Sequence, residues 1–277
     1  MIDRFAQFPR SLAERSRTAR FGDVPVLLAH PDWVTPAPTI LWMHGRTAHK
    51  ELDPGRYLRW IRAGIAACAI DLPGHGERPE EGAHSGQETP RILARMIAEI
   101  DGVVNGLQHP QWNGVFDGTR LGIGGMSAGG MAALRRLCDP HPFVCAAVEG
   151  TTGWLAGLYF PKDAVGKWPH DRSLVRTVDA SEHLGGFRPI PLLLVHSEAD
   201  ELIPFSVVTG FVQRLRDHYA AAGARPEAVR LESWPTTGAP FEHNGFGNRS
   251  NDAKNLQVGF FTEYLKPAIH DSPRTPE

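Results

Sequence analysis

The chain has 277 residues, of which 42% are hydrophobic and 22% charged, with a formal net charge of −2. That size and balance suit a globular α/β domain with a buried sheet, and with no basic excess to speak for nucleic acid or an anionic membrane, a small molecule is the expected partner. Cys68, Cys138 and Cys145 cannot all pair and lack metal-ligand spacing, so they read as buried thiols in a reducing compartment.

The N-terminal stretch has no apolar core followed by a small-residue cleavage site, and no run approaches the ~20 apolar residues of a membrane span; a cytoplasmic location is expected. Residues 1–22 are polar and arginine-rich and read as a helical lead-in. Residues 24–29 form a short strand, and 39–43 (Thr-Ile-Leu-Trp-Met) a buried one that stops at His44-Gly45-Arg46. Helical spacing over 54–66 groups Tyr57, Leu58, Ile61 and Ile65 and leads into a strand at 67–70. That strand ends in the proline- and glycine-rich loop 71–78. The next helix, 90–107, carries Ile92, Met96, Ile97, Ile100 and Val104 on one face.

An apolar segment (Leu121, Ile123) then enters a glycine cluster, presents one serine and leaves into a helix at 131–137. Gly125-Met126-Ser127-Ala128-Gly129 fits the Gly-x-Ser-x-Gly nucleophile elbow, in which the serine sits on a strained turn and the glycines avoid Cβ clashes. Strands at 144–148, 191–195 and 229–234 are interleaved with helices at 204–221 and 252–265. Short apolar strands alternating with helices mean a mostly parallel central sheet with helices on both faces, in one domain over 1–277. Residues 151–188 hold Trp154, Tyr159, Phe160 and Trp168 without clear period, and 270–277 read as a frayed tail.

Ligands bind beyond the carboxyl ends of parallel strands, so His44-Gly45-Arg46, loop 71–78, Ser127, Glu149, Asp200 and the loop before the last helix converge on one edge. A serine nucleophile needs a base, and the base needs an acid to fix its tautomer. Loop 196–204 offers Asp200 and loop 236–245 offers His243; Glu149 is a rival carboxylate, and His196 and His183 are rival bases. His44 and His75 read as loop supports.

With these pieces in order, the chain from about residue 24 to 265 resembles the α/β-hydrolase family. The matching segments are Leu41-Trp-Met-His-Gly45, Asp71-Leu-Pro-Gly-His-Gly76, the serine elbow, 192–204 with Asp200, and His243 before the final helix. Within that family it looks like the small bacterial esterases related to dienelactone hydrolase and to the prolyl-oligopeptidase catalytic domain. The resemblance implies that Ser127 is the nucleophile, His243 the base and Asp200 the acid, with the backbone N–H groups of Arg46 and Ala128 as oxyanion hole. It implies a short cap at 151–188 over the serine, where Trp154, Phe160 and Trp168 would line a pocket or simply pack the cap.

Two features depart from the family pattern: Ser197 follows His196 where relatives often have glycine, and Pro240-Phe-Glu-His-Asn lacks the small residues usual beside the histidine. Arg46 puts a fixed charge at the oxyanion loop, to meet a substrate carboxylate, pair with a neighbouring acid or point into water. The expected activity is hydrolysis of a small carboxylic ester through an acyl-enzyme, with no metal or organic cofactor. Thioesterase, acyltransferase and small-peptide hydrolase are rivals on the same triad, and a non-catalytic binding scaffold is the rival of another class.

Overall fold

The computed structural model describes residues 8–161 and 169–266. In chain order, α1 (Arg10–Ala13), β1 (Ser16–Phe21), β2 (Val24–Ala29) and β3 (Ala37–Met43) precede α2 (Pro54–Arg62) and β4 (Ala66–Ile70). Then come α3 (Thr89–Leu107), β5 (Phe116–Met126), α4 (Ala128–Arg136), β6 (Phe143–Glu149), α5 (Leu155–Tyr159) and α6 (Arg172–Val178). The order closes with β7 (Leu192–Ser197), α7 (Phe205–Ala221), β8 (Val229–Trp234) and α8 (Ser250–Leu265).

Among the described residues these strands form one sheet in the order β1-β2-β4-β3-β5-β6-β7-β8. From β4 to β8 every pairing is parallel, and β2 joins β4 antiparallel. Alternation along the central strands separates two cores: Leu41, Met43, Cys68 and Ile70 face the side of α3 and α4, whereas Ile40, Trp42, Ala67 and Ala69 face the side of α2 and α8. Each fully buried leucine or isoleucine contributes ~1.5–3 kcal/mol relative to exposure. Strands buried on both faces therefore read as continuous apolar runs, and this sheet is the α/β-hydrolase arrangement expected from the motifs.

The expected N-terminal helix is confined to α1 among the described residues. Residues 16–21 form β1, paired antiparallel to β2 from Ser16 opposite Ala29 to Phe21 opposite Val24. The signal was the Gly22-Asp23 turn between them, with Gly22 at φ +59°, a hairpin dipeptide that outweighs the helical propensity of the arginines. Phe21 is also buried against α3 at Gly106, where a Cβ would stand 2.3 Å from its ring. The helix expected over 54–66 stops at Arg62, because Gly64 at φ +75° reverses the chain and Ala66 already belongs to β4.

Candidate active site

Ser127 sits between β5 and α4 at φ 49° and ψ −118°, a conformation that costs a non-glycine residue about 1–3 kcal/mol. Its surroundings impose it. The Ser127 N–H donates to Glu149 O at 2.9 Å, and the Ser127 carbonyl accepts from Met131 N (2.9 Å) and Thr151 Oγ1 (2.8 Å). A Cβ on Gly125 would come within 2.5 Å of Gly129 backbone, and one on Gly129 within 2.2 Å of Met43 O. Both glycines are thus required by close approach of β5, α4 and the end of β3.

His243 lies in a short turn, Glu242–Asn244, between β8 and α8. Its Nε2 is 2.9 Å from Ser127 Oγ, and its Nδ1 is 2.8 Å from Asp200 Oδ2 and 3.1 Å from Oδ1. A carboxylate only accepts, so Nδ1 carries the proton and Nε2 offers its lone pair to the serine hydroxyl. Asp200 is itself aimed by the N–H groups of Leu202 and Ile203, each 2.8 Å from Oδ1. The alternatives are engaged with other partners. Glu149 accepts from Arg56 Nη2 (2.7 Å) and Gln257 Nε2 (2.8 Å), His196 Nε2 donates to Ile203 O (3.0 Å), and His183 Nε2 donates to Arg176 O (2.9 Å).

The two departures from the family pattern answer one another. Ser197 Oγ donates to Glu242 Oε2 at 2.6 Å, and the same buried carboxylate accepts from both Thr236 and Thr237 hydroxyls and from the N–H groups of Thr237 and Gly238. Burial opposes ionisation of Glu242, but these donors overcome it and bring its pKa down to about 2. Glu201 accepts the N–H groups of Glu242 (3.1 Å) and His243 (3.2 Å). Sequence reading passed over Glu201 and Glu242. Their signal was the acidic neighbour beside each of the two candidate groups, Asp200 and His243.

Across the serine, Gly45 approaches so closely that a Cβ would stand 3.1 Å from Met126 Sδ and 3.4 Å from Ser127 Cβ. His44 Nδ1 donates to Gly45 O at 2.7 Å, and its Nε2 accepts the Leu72 N–H at 3.0 Å. A trans peptide directs C=O and N–H to opposite sides, so this bond orients the Gly45–Arg46 unit. The far end of the loop is held by Asp71, which accepts from Lys50 N (2.9 Å), Lys50 Nζ (2.8 Å) and Glu77 N (3.0 Å). Burial pushes the Asp71 carboxyl up, yet His44, 3.6 Å away, together with Lys50 and the Glu77 N–H holds it well below the carboxylate range. Asp71 lies under Gly76, at φ +56°, where a Cβ would fall 2.2 Å from the carboxylate. His75, buried with Nδ1 donating to Pro73 O at 2.9 Å, is pushed down to about 4 by burial and stays neutral.

Ser127 and His243 open on a cavity of about 290 Å3, walled on its apolar parts by Met131, Leu158, Tyr159, Ile203 and Pro204. Of the aromatic residues expected there, Trp154 lies under the Arg214 guanidinium, 3.7 Å from its ring centroid, and Phe160 under Arg172 at 4.0 Å. Neither is among the described residues lining the cavity, and Trp168 lies outside the described residues. Leu158 and Tyr159, at the C-terminal end of the five-residue helix α5, line the cavity instead.

Residues 57–266 match the model of the prolyl oligopeptidase family. The chain belongs to that family. It is 28% identical over 195 residues to Esterase YjfP of Escherichia coli (strain K12), covering 66% of this chain and 77% of that protein. It is 24% identical over 211 residues to the Putative esterase YitV of Bacillus subtilis (strain 168), covering 71% and 81%. Its fold is that of the acylaminoacyl peptidase of Pyrococcus horikoshii (TM-score 0.70, 19% identity, 91% of this chain and 42% of that one). It is also that of Thermogutta terrifontis esterase 2 (TM-score 0.65, 16% identity, 94% and 98%). The family member described here is a carboxylesterase-like hydrolase. No helix among its described residues is long and apolar enough to cross a membrane.

Proposed function

We propose that this protein is a serine carboxylesterase acting on small-molecule esters, with Ser127 as nucleophile, His243 as general base and acid, and Asp200 as the group that orients the histidine and stabilises its protonated form. The observation that carries this reading is the unbroken chain from Ser127 Oγ through His243 to Asp200 at the wall of the cavity. Ser127 Oγ attacks the ester carbonyl carbon while its proton passes to His243 Nε2. The carbonyl oxygen becomes an oxyanion that accepts from the backbone N–H groups of Ala128, at the start of α4, and Arg46. As the tetrahedral adduct collapses, the C–O bond to the alcohol breaks and His243 gives its proton to the departing oxygen. Water, deprotonated by His243, then attacks the acyl-enzyme, and the acid leaves as Ser127 Oγ takes the proton back.

Residues 1–277 serve here as one domain, with 151–188 as a small cap whose α5 narrows the cavity. The buried, unpaired Cys68, Cys138 and Cys145 support a cytoplasmic setting. An oxygen ester is favoured over an amide or thioester because both curated relatives are named as esterases. The test is hydrolysis of 4-nitrophenyl esters from acetate to decanoate by wild type and Ser127→Ala. Wild type is expected to prefer short acyl chains, as suits a cavity of about 290 Å3. Ser127→Ala should lose a factor of roughly 10⁵–10⁶ in kcat. A folded variant as active as wild type would remove Ser127 as nucleophile. If wild type cleaves N-acyl peptides faster than esters, the peptidase reading takes over.

A further inference from the structure

The cavity beside Ser127 has two unlike walls. On one, His243, Ile203, Pro204 and Glu201 face the space; on the other stand Arg46, Gly86, Thr89 and Tyr159. Glu201 is already engaged, each of its oxygens accepting a backbone N–H from the histidine loop. Arg46 is not engaged in the same way. Its guanidinium carries five N–H donors, and the partner it finds is a neutral one, the His84 carbonyl, to which Nη1 donates. Among the described residues it forms no ion pair, whereas the more deeply placed Arg56, Arg78 and Arg136 each hold a carboxylate. Among the described residues, then, the alternative of pairing with a neighbouring acid is not realised. The charge acts on the cavity wall: it opposes the upward push that burial gives the Tyr159 hydroxyl.

We infer that Arg46 selects esters whose acyl chain ends in a carboxylate. This rests on the assignment of Ser127 and His243 above. The departing alcohol must reach His243 Nε2 to be protonated, so it lies along the His243 wall, and the acyl chain extends along the other, toward Arg46. A planar guanidinium with free N–H groups receives a carboxylate through two parallel hydrogen bonds, which a neutral chain end cannot make. Half-exposed, such charge-assisted bonds are worth about ten- to a hundredfold in specificity.

The experiment compares kcat/KM for the mono-4-nitrophenyl ester of adipic acid with that for its ω-methyl ester, which has the same chain without the charge. Wild type is expected to favour the anionic substrate by about ten- to a hundredfold, and adipate to inhibit more strongly than hexanoate. Arg46→Gln is expected to lower the anionic-to-neutral ratio at least tenfold, and Arg46→Lys, a point charge without the fork, to retain part of it. Taking the ratio cancels any disturbance of the backbone donor at residue 46. A wild-type ratio near one, or a ratio unchanged in Arg46→Gln, overturns the inference while leaving the esterase reading intact. If neither ester is cleaved and Ser127 resists a fluorophosphonate probe, the reading of the site fails and the inference falls with it. The wild-type ratio and the inhibition by adipate decide the matter even if the variants do not fold.

Discussion

On one side of Ser127 the histidine loop hangs from carboxylates that no lysine or arginine among the described residues pairs with: Asp200 accepts from Leu202, Ile203 and His243, Glu201 from two backbone N–H groups, and Glu242 from hydroxyls and N–H groups. On the other side, loop 44–50 ends in a buried ion pair, Lys50 with Asp71, which Glu77 and Glu51 join. The first arrangement spreads its hold over many bonds of modest strength, so losing one leaves the others in place. The second concentrates it in charges that have left water, and removing one partner strands the other. The histidine side is therefore open to changes that alter chemistry alone, while the side of loop 44–50 couples its geometry to the stability of the fold.

The sharpest separation comes from Asp200→Asn. An amide can hold the imidazole in the wrong tautomer, so kcat is expected to fall about 10⁴-fold with little change in KM or in the urea midpoint. A variant keeping more than a tenth of wild-type kcat would pass the acid role to another group. Lys50→Met should behave in the opposite manner. Leaving Asp71 buried without its lysine is expected to cost about 3–5 kcal/mol in urea unfolding, and adding Asp71→Asn should recover part of it. An unchanged midpoint in Lys50→Met would dissolve the contrast between the two sides.

The smallest effects appear only in acid, and they divide by side. His75, in the loop beside Asp71, has a folded pKa of about 4 against an ordinary 6.5, so the unfolded chain takes up its proton first. Stability is whole above pH 6.5 and is lost as pH falls from there toward 4. Glu242 has a folded pKa of about 2 against 4.5, so its contribution is whole above pH 4.5 and is lost as pH falls toward 2. Melting temperature measured against pH should therefore flatten between 6.5 and 4 in His75→Asn and between 4.5 and 2 in Glu242→Gln. If both variants flatten the same interval, the two loops do not titrate separately.

Much of this was readable along the chain because it depends on neighbours in sequence. The elbow glycines announce a turn that admits no Cβ, and the apolar runs at β3 and β4 announce strands covered on both faces. The strand β1 was missed although its turn, Gly22-Asp23, is local; arginine-rich polarity suggested a helix, and only pairing with β2 decides against it. Of the two readings left open for the cap aromatics, the packing one describes Trp154 and Phe160. Trp154 and Phe160 are large and aromatic, but in this fold each lies beneath an arginine from another segment, and Leu158 and Tyr159 face the serine.

By itself the sequence determined the order of the parallel strands and of the helices between them, the position of the strained serine, and a short choice of acids and bases behind it, because propensity, periodicity and turn chemistry act over a few residues. Tertiary structure alone decided which of Asp200 and Glu149 meets His243, that Ser197 and Glu242 support one another, that Asp71 and Lys50 hold loop 44–50, and that among the described residues Arg46 pairs with no acid. Those outcomes depend on distances of about 3 Å between residues far apart in the chain, and a hydrogen bond or ion pair exists only once folding has brought its partners within that reach.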